Sequence, residues 1–551
     1  MRTRSESGCA ALGAHRGFAA SPPNPQVAPC ATDVTSAVPM EFPERFNMAW
    51  YYLDRNIEEG RGDKRCLFWR DESYTYAEVQ ERSNRFGSAL RGLGLDVEDR
   101  VLLVLPDRPE FAFAWFGAAK IGAVIAMVNP ALPADDYVHY FEYSRARAAV
   151  VDESALPKVE PLLPRLRHLR HLIVVGAASP HLSFDALCAE GSPALENADT
   201  HRDDPAIWLF TSGSTGKPKA AVHLQQDLPW NTERYAKMVL GIRGDDLTVS
   251  VPKLFFGYAT GTNLLFPFAV GGATALFSER SEPATLFDAI ERYRPTILTS
   301  VPTMINAMLN APDAAARDLS SLRLVLSAGE ALPPELYRRW KETFGVEILD
   351  GIGSAEMFHI YISNYPGQVV PGSLGRLVPG YEARVVDAAG QDVPDGEAGT
   401  LWIKGDSAAV LYWQAHEKSK EVLRGDWVVT GDHMRRDGDG VFWYEGRSDD
   451  MLKVGGIFVS PVEVENCLLQ HPAVAECAVI GYKDRDGLIK PKAYVVCRDR
   501  EGDSGLAQEL QEFVRARLAP FKYPRYVEFA AVLPKNDRGK IDRRRLGNQA
   551  D

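Results

Sequence analysis

The chain has 551 residues, 45% hydrophobic and 25% charged, with 62 Lys plus Arg against 74 Asp plus Glu for a net charge of −12. That is an ordinary globular composition, too long for one core, so a large and a small unit are expected; the acidic balance argues against a nucleic-acid surface. Seven scattered cysteines without CxxC spacing give neither a disulfide framework nor a zinc site, and read as reduced thiols of a cytoplasmic protein.

Residues 1–39 are rich in Ala, Ser, Pro and Gly, carry Arg2, Arg4 and Arg16, and lack an apolar run of secretory length. They read as a disordered segment or a start mis-assigned ahead of Met40, with a transit peptide as the alternative. From Glu41 helices and strands alternate. Thr75 and Glu78 form a capping box ahead of Val79, Phe86, Leu90 and Leu93, and Gly94 marks the stop. A strand is predicted over 101–105, a helix over 109–119 and a strand over 124–128. Such βα repeats imply a parallel sheet covered on both faces.

The apolar run 254–277 has the length of a membrane span, but it holds four glycines, Asn263 and Pro267, and reads as core, helix then strand. Further strands are predicted over 274–277, 297–300 and 323–326, with helices over 284–293, 303–309 and 334–344. Beyond Gly351 short strands at 382–386, 400–403, 427–430 and 441–444 suggest a β-rich subdomain. After the polar junction 446–450 a small α+β unit follows: helices over 461–469 and 506–518, strands over 476–480, 493–497 and 526–529. The fold expected is therefore α/β, with a large unit over 40–447 and a small mobile unit over 448–551.

The stretch with most chemistry is 209–219, Leu-Phe-Thr-Ser-Gly-Ser-Thr-Gly-Lys-Pro-Lys. A buried strand runs into a loop where Gly213 and Gly216 admit close approach of an anion, Thr211, Ser212, Ser214 and Thr215 supply hydroxyls, and Lys217 and Lys219 supply charge. Only two residues separate the glycines and Pro218 follows Lys217, so the Walker A pattern fails. Gly351-Ile352-Gly353 likewise fails the dinucleotide fingerprint, because Glu356 stands where its third glycine belongs.

This loop, followed by Gly351-Ile352-Gly353-Ser354-Ala355-Glu356, Thr430-Gly431-Asp432, Glu445-Gly446-Arg447-Ser448-Asp449-Asp450 and Asn536-Asp537-Arg538-Gly539-Lys540-Ile541-Asp542, resembles the adenylate-forming superfamily of acyl- and aryl-CoA ligases, peptide-synthetase adenylation domains and luciferases. The resemblance covers 41–551. Within it, Lys253-Leu254-Phe255-Phe256-Gly257-Tyr258, the segment 351–360 and Pro43-Glu44-Arg45-Phe46-Asn47 look most like benzoate–CoA ligases.

The resemblance implies a carboxylic acid joined to the α-phosphate of ATP with loss of pyrophosphate, then attack by the thiol of coenzyme A. Bringing one anion to another calls for cations and oriented donors. By resemblance, the loop 211–219 holds the β- and γ-phosphates, Glu356 binds Mg²⁺, Ser354 meets the α-phosphate, and Asp432 with Arg447 holds the ribose. The segments Ala328-Gly329-Glu330 and Asp350-Gly351-Ile352 line the adenine slot, with aliphatic Ile352 where relatives carry an aromatic. Lys540 bridges carboxylate and α-phosphate during adenylation. Rotation about Asp449 then presents Lys453, Gly455 and Gly456 for thioester formation. Asp537 and Arg538 depart from the small residues usual beside that first lysine.

No acidic residue occurs over 247–278, and Phe255, Phe256 and Tyr258 offer an aromatic wall suited to a flat aryl acid. His359, expected on a helix three residues after Glu356, faces the acyl pocket or serves structure; Lys253 stands open in the same way. The expected activity is an ATP-, Mg²⁺- and CoA-dependent aryl-CoA ligase acting on benzoate or a substituted benzoate, as a monomer or homodimer, with no nucleic-acid or membrane partner. Loading an aryl acid onto a carrier-protein thiol, or non-catalytic binding of nucleotide and acid, are the rivals.

Overall fold

The computed structural model describes residues 40–176, 179–211, 217–447, 451–454, 457–484, 488–519, 521–535 and 541–548. The segment 1–39, the loop residues Ser212, Gly213, Ser214, Thr215 and Gly216, the expected hinge Asp449, the pair Gly455 and Gly456, and Lys540 lie outside them.

Thr75 caps the helix Tyr76–Gly92 as the capping box requires: its hydroxyl accepts from Glu78 N (3.2 Å) while the Glu78 carboxylate accepts from Thr75 N (2.7 Å). This helix crosses Pro109–Lys120 with backbones nearly touching. A Cβ at Gly87 would stand 2.7 Å from Gly117 O, and one at Gly117 2.8 Å from Ser83 O, so both positions need glycine. The crossing packs Phe86, Phe111, Trp115 and Phe116 into the main core.

Two mixed sheets flank that core. One runs Leu411–Tyr412, Lys219–Leu224, Pro205–Thr211, Val124–Met127, Arg100–Val104, Ala148–Asp152, His171–Val175, Leu182–Ser183. The other runs Arg376–Leu377, Ile360–Ser363, Ile348–Gly353, Leu324–Ala328, Ile297–Ser300, Leu247–Ser250, Ala273–Leu276, Arg65–Trp69, Glu72–Thr75. Their centres are parallel, as the βα rhythm predicts, and their hydrophobic strands are buried on both faces. The expectation of parallel sheets needs correcting at the edges: Lys219–Leu224, Ile360–Ser363 and Glu72–Thr75 pair antiparallel with their neighbours. Each follows a connection too short for a crossover. Further helices cover the outer faces through separate apolar clusters, giving a layered α/β unit.

The β-rich part is an antiparallel sheet of Glu382–Val386, Ala398–Lys404, Trp427–Arg436, Leu423–Arg424 and Phe442–Arg447. Its ten-residue strand Trp427–Arg436 outruns the four-residue expectation because Thr430-Gly431-Asp432 continues the strand instead of breaking it. The last part carries its own core: the apolar cluster under Pro461–Leu468, Val474–Lys483, Ile489–Cys497 and Ser504–Arg515 draws only on residues from Leu452 onward. The run 254–277 folds as short helical segments and the strand Ala273–Leu276. Among the described residues no helix is long and apolar enough to cross a membrane.

Candidate active site

The strand Pro205–Thr211 returns antiparallel as Lys219–Leu224, with Thr211 opposite Lys219. Lys217, in the loop between them, is exposed. Leu411–Tyr412 adds to the outer edge of that hairpin. From there the Tyr412 hydroxyl donates to Glu356 Oε1 at 2.5 Å, a charge-assisted bond. Burial first, then the Glu356 charge, holds the Tyr412 phenol far above its ordinary pKa. Lys219 Nζ lies 5.9 Å from the Tyr412 ring centroid; partial burial and the neighbouring Lys418 lower its pKa. Loop lysine and acidic residue are thus assembled around one tyrosine.

Glu356 sits on a single 3₁₀ turn, Ala355–Met357, between the antiparallel strands Ile348–Gly353 and Ile360–Ser363. The chain reverses at Phe358, whose φ of 65° and ψ of −55°, with His359 N donating to Met357 O at 2.8 Å, make a tight γ-turn. This conformation is rare and strained for a residue with a side chain. The helix expected at His359 is therefore absent; the residue stands immediately before the return strand Ile360–Ser363. The reversal is so close that a Cβ at Gly353 would stand 2.4 Å from His359 O.

The turn is braced from beneath. His223 and Asp227 are buried, His223 Nε2 contacts Ala355 O at 2.7 Å and Nδ1 contacts Asp227 Oδ2 at 3.1 Å. A carbonyl only accepts, so Nε2 carries a proton, and the His223–Asp227 contact holds one more between them. Leu224 N also donates to Asp227 Oδ2 (2.9 Å). Burial raises the pKa of Asp227 despite its histidine. Beside this brace, Ser354 Oγ is buried with no hydrogen-bond partner among the described residues, the condition of a hydroxyl awaiting an external acceptor or donor.

Next to Glu356 the parallel strand Leu324–Ala328 ends at Ala328, Gly329 and Glu330. Gly329 takes a φ of 92°, open to glycine at little cost. Glu330 accepts from Thr303 Oγ1 (2.8 Å). Asp350 is buried; Ser327 Oγ donates to its Oδ1 (2.7 Å) and Leu332 N to its Oδ2 (3.3 Å). Burial pushes its pKa up to about 8, so it is mostly protonated at neutral pH. Ile352 is partly buried against the main core and pairs Ile362 in register, and Gly351 pairs Ser363.

Asp432 and Arg447 face each other across the antiparallel pair of Trp427–Arg436 and Phe442–Arg447, with Arg447 Nη1 3.4 Å from Asp432 Oδ1. The carboxylate is buried and the guanidinium half-exposed. Tyr361 is fully buried, its hydroxyl unpartnered among the described residues, and the charges of Asp432 and Glu356 add to burial in raising its pKa.

The aromatic side chains near Tyr258 gather around His359. His359 is ringed by Phe266 (4.7 Å between centroids), Tyr258 (5.2 Å) and Tyr235 (5.5 Å). Phe256 packs tilted against Phe255, with 4.6 Å between ring centroids. Nε2 of His359 contacts Tyr258 O at 3.0 Å and must carry its proton. Burial lowers the imidazole pKa to about 3, which keeps the ring neutral. His359 Nδ1 and the Tyr258 hydroxyl are buried polar atoms with no partner among the described residues. Lys253 takes a structural part: its Nζ donates to Phe277 O (2.7 Å) and sits 3.3 Å from the Phe277 ring centroid, with its pKa lowered by burial to about 8. Lys453 lies in the strand Leu452–Val454, paired with Phe458.

Gly329, Glu330 and Arg447 line one cleft; Asp432 stands opposite Arg447 across the antiparallel pair, and Tyr412 ties Glu356 to the hairpin edge that carries Lys219. Tyr412, Tyr361, Tyr235 and the His223–Asp227 pair were missed from sequence. The i,i+4 spacing of the last two was a visible signal; the tyrosines gave none.

Comparison with known proteins follows this geometry. The model of the AMP-binding enzyme family matches residues 53–413, and that of the AMP-binding enzyme C-terminal domain matches 463–540. A benzoate–CoA ligase of Thauera aromatica is 46% identical over 510 residues, covering 92% of this chain and 97% of that protein. The crystal structure of an anthranilate CoA ligase in complex with anthranoyl-AMP superposes with a TM-score of 0.89 at 41% identity, covering 93% and 98% of the two chains. That of a benzoate CoA ligase from Burkholderia xenovorans LB400 gives 0.85 at 43%, covering 91% and 100%.

Proposed function

The chain belongs to the AMP-binding, adenylate-forming enzyme family, and on that premise we propose that it is an aryl-CoA ligase acting on benzoate or a simply substituted benzoate. The acid is joined to the α-phosphate of ATP, pyrophosphate leaves, and the thiol of coenzyme A displaces AMP from the aryl-adenylate. The observation that carries the aryl reading is the ring-lined wall of Phe266, Tyr258, Tyr235 and neutral His359. It offers flat faces and no ionised group, which suits an uncharged ring and rejects an ammonium.

In this reading Asp432, buried and oriented by Arg447, accepts from the vicinal ribose hydroxyls. Gly329 leaves room for the adenine beside Ile352, and protonated Asp350 supports that floor. The unpartnered Ser354 hydroxyl meets the α-phosphate. Thr211 and Lys217, with the loop between them, hold the departing pyrophosphate. Glu356 fits a magnesium ligand: it is a single carboxylate with one oxygen engaged by Tyr412, and Mg²⁺ takes few protein oxygens alongside substrate phosphates. Bound there, the ion would neutralise phosphate charge. Lys540 bridges carboxylate and α-phosphate, and Lys453 with Gly455 and Gly456 serves the thioester step after rotation of the small unit (448–551) about Asp449. We read the enzyme as cytoplasmic, acting as a monomer or homodimer.

ATP–pyrophosphate exchange with a panel of aryl, alicyclic and fatty acids, followed by CoA-dependent AMP release, tests the reading. Exchange strongest with benzoates and AMP release with CoA alone are expected. Exchange that prefers fatty acids, or release that requires a carrier protein, would overturn it. Lys540→Ala should abolish exchange while supplied aryl-adenylate is still converted to thioester, and Lys453→Ala should do the reverse.

A further inference from the structure

The crevice between the large and small units is lined by four arginines: Arg339, Arg447, Arg498 and Arg543. Arg447 faces Asp432 and Arg543 is paired with Glu465 (2.8 Å). Arg339, on the helix Pro334–Phe344 of the large unit, and Arg498, just past the strand Ile489–Cys497 of the small one, form no ion pair among the described residues. Instead, Arg339 Nη2 and Arg498 Nη1 donate to the same Asn310 Oδ1, each at 3.1 Å. The carboxylates lining the crevice are engaged elsewhere: Glu335 with Arg338 (2.6 Å), Glu476 with Lys535 (3.2 Å) and Glu330 with Thr303. Asn310 is anchored through Asn306, which donates to Ala475 O of the small unit (3.2 Å).

Two guanidinium groups brought together on one neutral amide repel each other, and the arrangement gains when an anion enters between them. The mutual effect shows on Arg339, whose pKa is lowered by burial and then by Arg498. Planar forks converging from two sides suit the oxygens of a phosphoryl group. We propose that Arg339 and Arg498 form an anion subsite that takes a phosphoryl group in the crevice. Since each unit supplies one arm, the anion would be gripped only while the two units stand as they do here. Two sources share this chemistry, free inorganic phosphate and the 3′-phosphate of coenzyme A; only the second rests on the ligase reading above.

The test is binding of inorganic phosphate to the full chain at fixed ionic strength, with AMP at saturation to fill the nucleotide slot, read as a shift of the thermal midpoint. Phosphate should raise the midpoint of the wild type, and Arg339→Ala and Arg498→Ala should each weaken phosphate roughly tenfold or more, the loss of a charge-assisted bond. Retained pyrophosphate exchange in both variants shows that they fold. Competition by CoA but not dephospho-CoA assigns the subsite to the 3′-phosphate; competition by neither assigns it to free phosphate. A wild type indifferent to phosphate, or variants that bind it as the wild type does, would overturn the proposal. Absence of thioester formation with phosphate binding intact would instead count against the ligase reading alone.

Discussion

Replacing His223 by alanine removes the brace under the Glu356 turn, and the structure fixes what that should cost. His223 is wholly buried and Asp227 is 1% exposed. Truncation strips Asp227 Oδ2 of its 3.1 Å partner and Ala355 O of its 2.7 Å donor. Breaking a buried ion pair from one side costs about 3–5 kcal/mol, and the orphaned carbonyl about 1 kcal/mol more. Asp227 recovers part of this by taking up a proton, since burial already raises its pKa. A net loss of about 3 kcal/mol remains, roughly a hundredfold in the unfolding equilibrium. The pH dependence carries a sign. A carboxyl whose folded pKa lies above its unfolded value favours the fold in acid, and that contribution is lost as pH rises through the folded pKa. The variant should therefore lie nearest the wild type in mild acid and fall away toward neutrality. Urea unfolding across pH, with pyrophosphate exchange titrated with magnesium, measures both consequences: the stability loss and a weakened magnesium response from a turn free to shift. A variant as stable as the wild type at neutral pH would refute the buried, proton-sharing pair. Equal stability loss at every pH would refute the assigned proton balance.

Three further outcomes are expected. Asp432→Asn should lower kcat/KM for ATP in the exchange assay roughly 10- to 100-fold, the worth of charge-assisted bonds to a diol, and should matter less with 2′-deoxy-ATP. Gly353→Ala places a methyl 2.4 Å from His359 O, backbone that cannot swing away; a loss of about 1–3 kcal/mol and a raised KM for the acid are expected from unfolding curves and kinetics. Asp350 has its pKa raised from 3.8 to about 8, so its contribution to stability is complete in acid and drains away as pH climbs to about 8. Asp350→Asn should flatten the decline in thermal midpoint as pH rises from about 4 to about 8, and an unchanged decline over that window would discount the group.

What could be read from the sequence was whatever depends on near neighbours. The Thr75–Glu78 cap, the prolines opening Pro109–Lys120 and Pro334–Phe344, and the strand Ile297–Ser300 appear where local chemistry put them. The order of motifs brought out the family, because each carries a distinctive polar cluster. Contacts across long stretches left no local trace. Tyr412 reaches Glu356 across 56 residues and His223 reaches Ala355 across 132, and either tyrosine or histidine reads as ordinary core in isolation. His359 was misplaced on a helix because nothing in Met357-Phe358-His359 announces a left-handed phenylalanine. The antiparallel edges were hidden because a strand's sequence specifies which face is apolar, not the direction of its partner.

The γ-turn at Phe358 has a further effect on how the active site can vary. It sets the carboxylate of Glu356 on one side of a single strained pivot and the imidazole of His359 on the other, with Gly353 closing off any slack. On the proposed assignment, room made for a bulkier ring by moving His359 would be transmitted to the proposed magnesium ligand, Glu356. With those roles, acid scope and metal demand would be two readouts of one lever, and lineages that drift toward larger aryl acids by shifting this turn should drift in magnesium requirement with it, whereas those that reshape Phe266 or Tyr235 instead are free to keep it.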